Sequence, residues 1–83
     1  MNRTDCLKNA SHIVNSRDDS YGDPTVFFRR CAEMWSVILG REVFDHEVAL
    51  CMMAFKTVRL VEDPTHPDSW IDIAGYTAIG CET

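Results

Sequence analysis

The sequence predicts an all-α fold: a compact bundle of three main helices preceded by a weaker N-terminal helix, with residues 1–83 forming a single domain. Apolar residues recur at the three- and four-residue spacing of amphipathic helices, and no segment alternates convincingly between apolar and polar residues as a half-buried strand would. Helix start and stop signals divide the chain into segments at about 4–16, 24–39, 45–61 and 69–79.

The size and composition of the chain predict self-association. A domain of 83 residues has a core near the lower limit of what folds alone. Yet 46% of the residues are hydrophobic, including two Trp, four Phe and four Met. So small a body does not easily hide that much apolar surface. We therefore expect a homo-oligomer.

The charge balance limits the classes of partner. The chain has 8 Lys and Arg against 13 Asp and Glu, a formal net charge of -5. An acidic chain is poorly suited to binding duplex nucleic acid through charge, but a local basic cluster can still hold a small phosphorylated ligand. No apolar run reaches the roughly 20 residues of a membrane span, so we expect no membrane insertion.

The four cysteines are widely spaced and form no C-x-x-C pair. Zinc binding would require two ligands close together on a turn or helix, and the sequence offers no such pair. The chain also lacks a basic-then-apolar signal at its start. These features favour reduced thiols and a cytoplasmic location.

The first helix and the connector after it differ sharply in character. Thr4 is a candidate cap for a weak helix at about 4–16, and turn-forming residues follow. In that connector Gly22 can take a positive φ, while Asp23 and Pro24 form an N-cap and first helical residue. The connector also contains the side chains of Arg17 and Tyr21, which are unusual choices for a turn. It is either a surface link or a place where an arginine holds a phosphate and a tyrosine stacks on a base.

The second helix is predicted from Pro24 to Leu39, with Gly40 ending it. It is apolar over well more than half of its circumference. Only Arg29, Glu33 and Ser36 define a clear outer strip, with Arg30 at its edge. A helix of this kind contacts neighbours on two sides, as an inner element of a bundle or an oligomer interface does.

The third helix is predicted to begin at Asp45 as its cap, with Phe44 before it as a hydrophobic staple. It is apolar nearly all round. Lys56 and Arg59, at i and i+3, form a basic pair near its C-terminal end. They either offset the helix dipole and pair with nearby carboxylates, including those of the fourth helix, or face Asp68 and Asp72 across a binding site.

In the fourth helix, a cap at Asp68 or Ser69 would place Asp68, Asp72 and Tyr76 on one face at i, i+4 and i+8. The opposite face then holds four inward-facing residues, with Ile71 at its border: Trp70, Ile73, Ala74 and Ala78. His66 lies between two prolines and either fixes the corner by hydrogen bonding or contacts a phosphate.

Three functions fit these residues. The first is Mg²⁺-dependent hydrolysis of a nucleotide, with Asp68 and Asp72 as metal ligands and Glu33 or Glu47 adding a third carboxylate from another helix. The second is nucleotide binding without a metal. Its phosphate contacts come from Arg17, Lys56 and Arg59, its stacking from Tyr21, Trp70 or Tyr76, and its hydrogen-bond acceptors from Asp68 or Asp72. The third is a protein-interaction module in which every charge is structural.

Four motifs, spread over about residues 10 to 80, resemble a family of small phage-encoded proteins of uncharacterised function. They are Arg17-x-x-Ser20-Tyr21-Gly22-x-Pro24, then Ala32-x-x-Trp35, then Val48-Ala49 leading to Lys56-x-x-Arg59-Leu60, and Pro64-x-His66-x-Asp68-Ser69-Trp70-x-Asp72-Ile73-Ala74-Gly75-Tyr76. That family is similar in pattern to the MazG-like all-α NTP pyrophosphohydrolases. The resemblance implies that Asp68 and Asp72 match the acidic positions of the last helix, while Lys56 and Arg59 match the basic helix before it.

The chain departs from the hydrolase pattern at the metal site. Those enzymes place E-x-x-E/D and E-x-x-D pairs on successive helices to hold Mg²⁺, whereas here only the single residues Glu33 and Glu47 stand upstream. This departure favours binding over catalysis. The resemblance implies a phage protein in the cytoplasm of an infected bacterium, which either manages precursor nucleotides or sequesters a nucleotide signal of host defence, linear or cyclic.

Overall fold

The computed structural model of the chain describes residues 1–16 and 22–83, and within them it contains four α-helices and no strand. The helices are α1 (Arg3–Ser16), α2 (Pro24–Leu39), α3 (Asp45–Glu62) and α4 (Pro67–Glu82). The all-α prediction is confirmed. Compared with the sequence prediction, α4 begins two residues earlier and continues three residues further.

Helices α3 and α4 form an antiparallel pair with a close backbone approach. Lys56, in the second half of α3, reaches Asp72 in the first half of α4. At the other end of the pair, a Cβ added at Gly80 would lie 2.9 Å from the Cβ of Ala49. Two small residues thus let the end of α4 lie directly on the beginning of α3.

Helix α1 lies along α4 in the parallel direction. Cys6 and Trp70 line one cavity near the start of both helices. Further along, a Cβ added at Gly75 would lie 3.1 Å from Cγ1 of Val14. Helix α4 is therefore central, with α1 on one side and α3 on the other, and α2 touches it less extensively.

Helix α2 has the boundaries that its local signals predict. Asp23 is the N-cap, and its side chain accepts a hydrogen bond from the backbone N–H of Thr25, while Pro24 occupies the first turn. Gly40 ends the helix with a φ of 69°, a left-handed conformation that favours glycine. Gly22, before the helix, has a φ of 78°, so its predicted positive φ is confirmed.

The hydrophobic core lies where α2, α3 and α4 meet. Its buried members are Phe28, Ala32, Val43, Val48, Ala49 and Ile79. Partly buried residues packed against it include Trp35 from α2 and Tyr76 from α4. Helix α2 thus joins the bundle through one face.

Ser36 does not lie on the solvent-facing strip of α2 where the sequence placed it. Its hydroxyl donates to the carbonyl of Ala32 at 2.7 Å and accepts from the backbone N–H of Val43 at 2.8 Å. The side chain is partly buried and ties the link after α2 back onto the helix. The prediction that Ser36 faces solvent was wrong because a hydroxyl on this side satisfies a backbone donor of the link.

Two predicted caps also differ from the structure. The side chain of Asn2, rather than Thr4, accepts the backbone N–H of Asp5 at 2.8 Å at the start of α1. At α3, Phe44 holds the N-cap position and Asp45 is already helical. The side chain of Glu47 accepts the backbone N–H of Phe44 at 3.0 Å, so the acceptor comes from inside the helix.

Candidate functional site

The centre of the candidate site is an ion pair between α3 and α4. Nζ of Lys56 lies 3.0 Å from Oδ2 of Asp72, and the two side chains are 17% and 30% exposed. Partial burial strengthens the attraction because less water screens it. The sequence offered two roles for Lys56: pairing with an aspartate of the fourth helix, or facing that aspartate across a site. The observed contact fits both roles.

One wall beside this pair is apolar. Tyr76 lies one turn after Asp72 on α4, and its ring centre is 6.0 Å from that of Phe28. Asp72 and Tyr76 also line a narrow cleft of about 20 Å³ together with Ile13 and Val14 of α1. The ring of Tyr76 packs against the core.

Arg59 and Asp68 extend the site by one helical turn toward the corner that joins α3 to α4, one residue on each helix. Arg59 follows Lys56 by three residues on α3, and Asp68 precedes Asp72 by four on α4, so the antiparallel register places them near each other. Both are exposed. Residues 1–16 and 22–83 contain three ion pairs closer than 4.0 Å, and Lys56–Asp72 is one of them. Neither Arg59 nor Asp68 takes part in any of the three.

His66 is the N-cap of α4. Its Nδ1 accepts the backbone N–H of Ser69 at 3.2 Å and lies 2.9 Å from the Ser69 hydroxyl oxygen. The cap was predicted at Asp68 or Ser69, and that prediction was wrong because Pro67 already occupies the first helical turn. The corner-fixing role of His66, one of its two predicted roles, is therefore present.

Trp70 lies on the other side of α4 from Asp72. The residue is 51% exposed, its Nε1–H donates to the carbonyl of Pro64 at 2.9 Å, and it lines a cavity of about 330 Å³ with Arg3 and Cys6. The sequence placed Trp70 on the inward face of α4. The residues that are buried on α4 are instead Ser69, Ile71, Gly75 and Ile79.

The face of α4 was mispredicted because this helix packs against neighbours on more than one side. Apolar residues then appear around much of its circumference, and periodicity alone does not identify the most buried stripe. The stripe runs through Ile71, Gly75 and Ile79, at i, i+4 and i+8, and its middle residue has no side chain. Arg3 carried no sequence signal because it lines the same cavity as Trp70 only through the tertiary packing of α1 on α4.

The carboxylates proposed as additional metal ligands lie elsewhere. The carboxylate of Glu47 accepts the backbone N–H of Phe44 and lies 3.5 Å from Arg41, and the hydrogen bond from Phe44 holds the pKa of Glu47 below its ordinary value. Glu47 stands nine residues before Lys56, about 13 Å along α3. Glu33 is exposed on α2. Across the part of the chain that the structure describes, no three His, Cys, Asp or Glu side chains form a group able to hold a metal ion.

Two predicted ligand contacts, Arg17 and Tyr21, lie outside the described residues, in the stretch that joins α1 to α2. The described residues thus bring Lys56, Asp72 and Tyr76 together. They place Trp70 at a different cavity.

With this geometry established, similarity to known proteins identifies the family. Residues 5–83 match the family model described as "Domain of unknown function (DUF6378)". The chain belongs to this family. The match covers α3 and α4, so the Lys56–Asp72 pair lies inside the DUF6378 domain.

Two curated relatives, both called Gene 55 protein, come from mycobacteriophages. The protein of Mycobacterium phage L5 is 35% identical over 75 residues, which cover 88% of this chain and 48% of the relative. That of Mycobacterium phage D29 is 34% identical over 76 residues, covering 90% of this chain and 49% of the relative. The chain therefore spans about half the length of the curated relatives it matches. No solved structure matches the chain significantly.

These matches support the phage origin that the motif resemblance implies. They do not show a similarity to the MazG-like pyrophosphohydrolases, so that resemblance stays a prediction. Among the helices that the structure describes, none has the length and apolar character needed to cross a membrane.

Proposed function

We propose that this DUF6378 protein binds a nucleotide, linear or cyclic, at the face formed by α3 and α4, in the cytoplasm of the phage-infected bacterium. The observation that carries the proposal is the partly buried Lys56–Asp72 pair, 3.0 Å apart and flanked by Tyr76. A cation and a carboxylate side by side on this face provide a donor for phosphate oxygens and an acceptor for hydroxyl or N–H groups.

In this proposal Lys56 and Arg59 contact the phosphates. A phosphate approaching Lys56 offers the ammonium a second acceptor and leaves Asp72 able to accept from a ribose hydroxyl or a base N–H. Asp68, one turn away and exposed, provides a second acceptor of the same kind. These contacts need no metal ion.

Base stacking is assigned to the connector rather than to α4. Residues two apart on a helix point in nearly opposite directions, so Trp70 and Asp72 do not reach the same base. The ring of Tyr76 is packed against Phe28. In the proposal, Tyr21 stacks on the base and Arg17 contacts a phosphate, as the sequence predicts; both residues lie outside the described part of the chain.

Two biological roles follow from binding without hydrolysis. The protein holds precursor nucleotides during phage replication, or it sequesters a nucleotide signal of host defence. A Mg²⁺-dependent pyrophosphohydrolase remains the alternative that the MazG-like resemblance implies, although among the described residues no three carboxylate, histidine or cysteine side chains form a metal-binding group.

The test is a thermal-shift and calorimetric screen of the purified protein against mono-, di-, tri- and cyclic nucleotides, each with and without Mg²⁺. Products are separated by chromatography. We expect a ligand that raises Tm without Mg²⁺ and is recovered intact. Lys56→Ala and Asp72→Asn should each weaken its binding by about 10-fold, since each removes one charge-assisted hydrogen bond.

Lys8→Ala provides the matched control because Lys8 is an exposed lysine of α1, remote in sequence from the site. It should leave the affinity unchanged. Release of pyrophosphate that requires Mg²⁺ would establish an enzyme instead of a binding protein. No thermal shift with any nucleotide would contradict the proposal altogether.

A further inference from the structure

The outward face of α2 carries a second apolar stripe. Phe27, Cys31, Met34 and Ile38 follow one another at intervals of four, three and four residues. This spacing forms the seam of a helix that packs against another helix with interlocking side chains. The inward face of the same helix repeats the spacing one position later at Phe28, Ala32 and Trp35, which do pack against the core.

Three members of the outward stripe, here called the α2 seam, are large side chains that the described residues leave exposed. Phe27, Met34 and Ile38 are 48%, 60% and 71% exposed, and Val26 and Val37 on its flank are also exposed. Cys31 is partly buried because it also packs against the core, and this burial raises the pKa of its thiol. A helix that is apolar on both sides is normally buried on both sides.

The area of the α2 seam matches what a dimer requires. The exposed fractions of the α2 seam together with the flanking Val26 and Val37 correspond to about 500 Å² of mostly apolar surface, and a standard homodimer interface of about 800 Å² per partner is about 65% apolar. The surrounding polar residues would supply the rest. Burial of the α2 seam and its flanking valines would therefore account for the apolar part of an interface of standard size.

Charge distinguishes the α2 seam from the other exposed apolar face, on α3. That face includes Leu50 and Val58, but Glu47 and Glu62 also lie on it at the helical spacing. Two-fold pairing through α3 would bring carboxylates of the two copies together in a chain that already has a net charge of -5. The α2 seam is bordered by the cation of Arg30, whose long side chain can lie along apolar surface while its charge stays in water.

We infer that the α2 seam binds the α2 seam of a second copy of this chain, giving a two-fold symmetric dimer. A two-fold interface uses the same patch on both subunits, and the α2 seam is one continuous patch. The inference is independent of nucleotide binding because the Lys56–Asp72 site lies between α3 and α4.

Sedimentation velocity tests this inference at protein concentrations from about 1 to about 100 µM, where interfaces of this size assemble. The wild-type chain, of 9.5 kDa, should sediment as a dimer. The variant Met34→Glu/Ile38→Glu should be monomeric, with Kd raised by about 100-fold or more because each carboxylate would be buried without a partner. Both positions are exposed in the single chain, so circular dichroism should show that the variant folds.

The matched control places the same two charges on α3, in Leu50→Glu/Val58→Glu. This variant should remain dimeric. A monomeric wild-type protein at about 100 µM would overturn the inference. So would a dimer that survives the changes in the α2 seam, or one that the α3 control dissociates while the α2 variant does not.

Cross-linking provides a second readout that does not depend on a disruptive variant. Cys31 lies in the middle of the α2 seam, so a pair of seams about 8–10 Å apart brings the two Cys31 thiols within reach of a short bismaleimide in either helix direction. A protein with Cys6, Cys51 and Cys81 changed to serine should form a covalent dimer. If this protein does not cross-link, while a protein that keeps only Cys51 does, the contact lies on α3. That result would contradict dimerisation through the α2 seam.

Discussion

Helices α4 and α2 have similar apolar content but different surroundings. Helix α4 contacts α1, α3 and, to a smaller extent, α2, and Trp70 is its main large apolar residue left exposed. Helix α2 is anchored through Phe28 and Ala32 on one face and leaves five large apolar residues exposed on the other. A hydrophobic sequence therefore shows that a helix needs covering on two sides, but whether its own chain provides that covering depends on the tertiary arrangement.

The largest expected effect is on the single buried face of α2. Phe28→Ala removes a side chain that is 3% exposed and should lower the free energy of unfolding by about 3–4 kcal/mol. Phe55→Ala, on the exposed face of α3, should change it by about 0.5 kcal/mol or less. Urea denaturation measures both. Equal losses of unfolding free energy in the two variants would show that Phe55 is as well covered as Phe28. The contrast between buried and exposed helix faces would then not hold.

The next effect concerns the ion pair between α3 and α4. Asp72→Ala leaves the ammonium of Lys56 partly buried without its partner and should destabilise the protein by about 1–2 kcal/mol. Arg41→Ala breaks the exposed pair with Glu47, at 3.5 Å, and should cost about 0.5 kcal/mol or less. Denaturant titrations give both values, and a double-mutant cycle with Lys56→Met should show coupling. A zero coupling energy would mean that the pair contributes nothing to holding the two helices together.

A smaller effect is expected where α4 lies closest to α3. Gly80→Ala places a Cβ 2.9 Å from that of Ala49 and should cost about 1 kcal/mol, even though alanine favours helices. Adding Ala49→Gly removes the clash, so the double variant should recover part of the loss. Thermal unfolding followed by circular dichroism checks both. A Gly80→Ala protein more stable than wild type would show that the end of α4 moves away from α3 without cost.

The smallest expected effect is a loss of stability at low pH. The hydroxyl and backbone N–H of Thr25 lower the pKa of Asp23, and those of Thr65 lower the pKa of Asp63. Because the unfolded carboxylates take up protons at higher pH than the folded ones, stability should be fully present above about pH 5 and should fall as the pH drops through the folded values.

Asparagine at both positions keeps the hydrogen-bond acceptors and removes the proton uptake. The Tm of Asp23→Asn/Asp63→Asn should therefore fall less than that of wild type between about pH 6 and about pH 3. Parallel curves for the two proteins would show that these carboxylates do not link folding to pH.

The sequence predicts the parts of the fold that depend on neighbouring residues. The Asp23 cap, Pro24 and Gly40 all lie where local conformational preference places them. The cap of α4 was missed although a local rule identifies it: Pro67 favours the first helical turn and thereby places the N-cap one residue earlier, at His66.

The candidate site was predictable only in part, because it combines distant segments. The pairing of Lys56 with an aspartate of α4 was one of two roles anticipated, since basic and acidic residues stand on adjacent helices. The separation of Trp70 from Asp72, and the cavity that Trp70 shares with Arg3, depend on how α1 and α3 lie on opposite sides of α4. Helical periodicity contains no information about that arrangement.

The parallel placement of α1 along α4 sets an order for the folding reaction. Asp72 follows Lys56 by 16 residues, whereas Gly75 follows Val14 by 61, so closing the α1 contact fixes a much longer loop. The α3–α4 hairpin should form in the transition state, and α1 should dock after it. Val14→Ala should then accelerate unfolding and leave the refolding rate nearly unchanged. The wall that α1 contributes beside Asp72 is thus the last part of the cleft to assemble and the first to open.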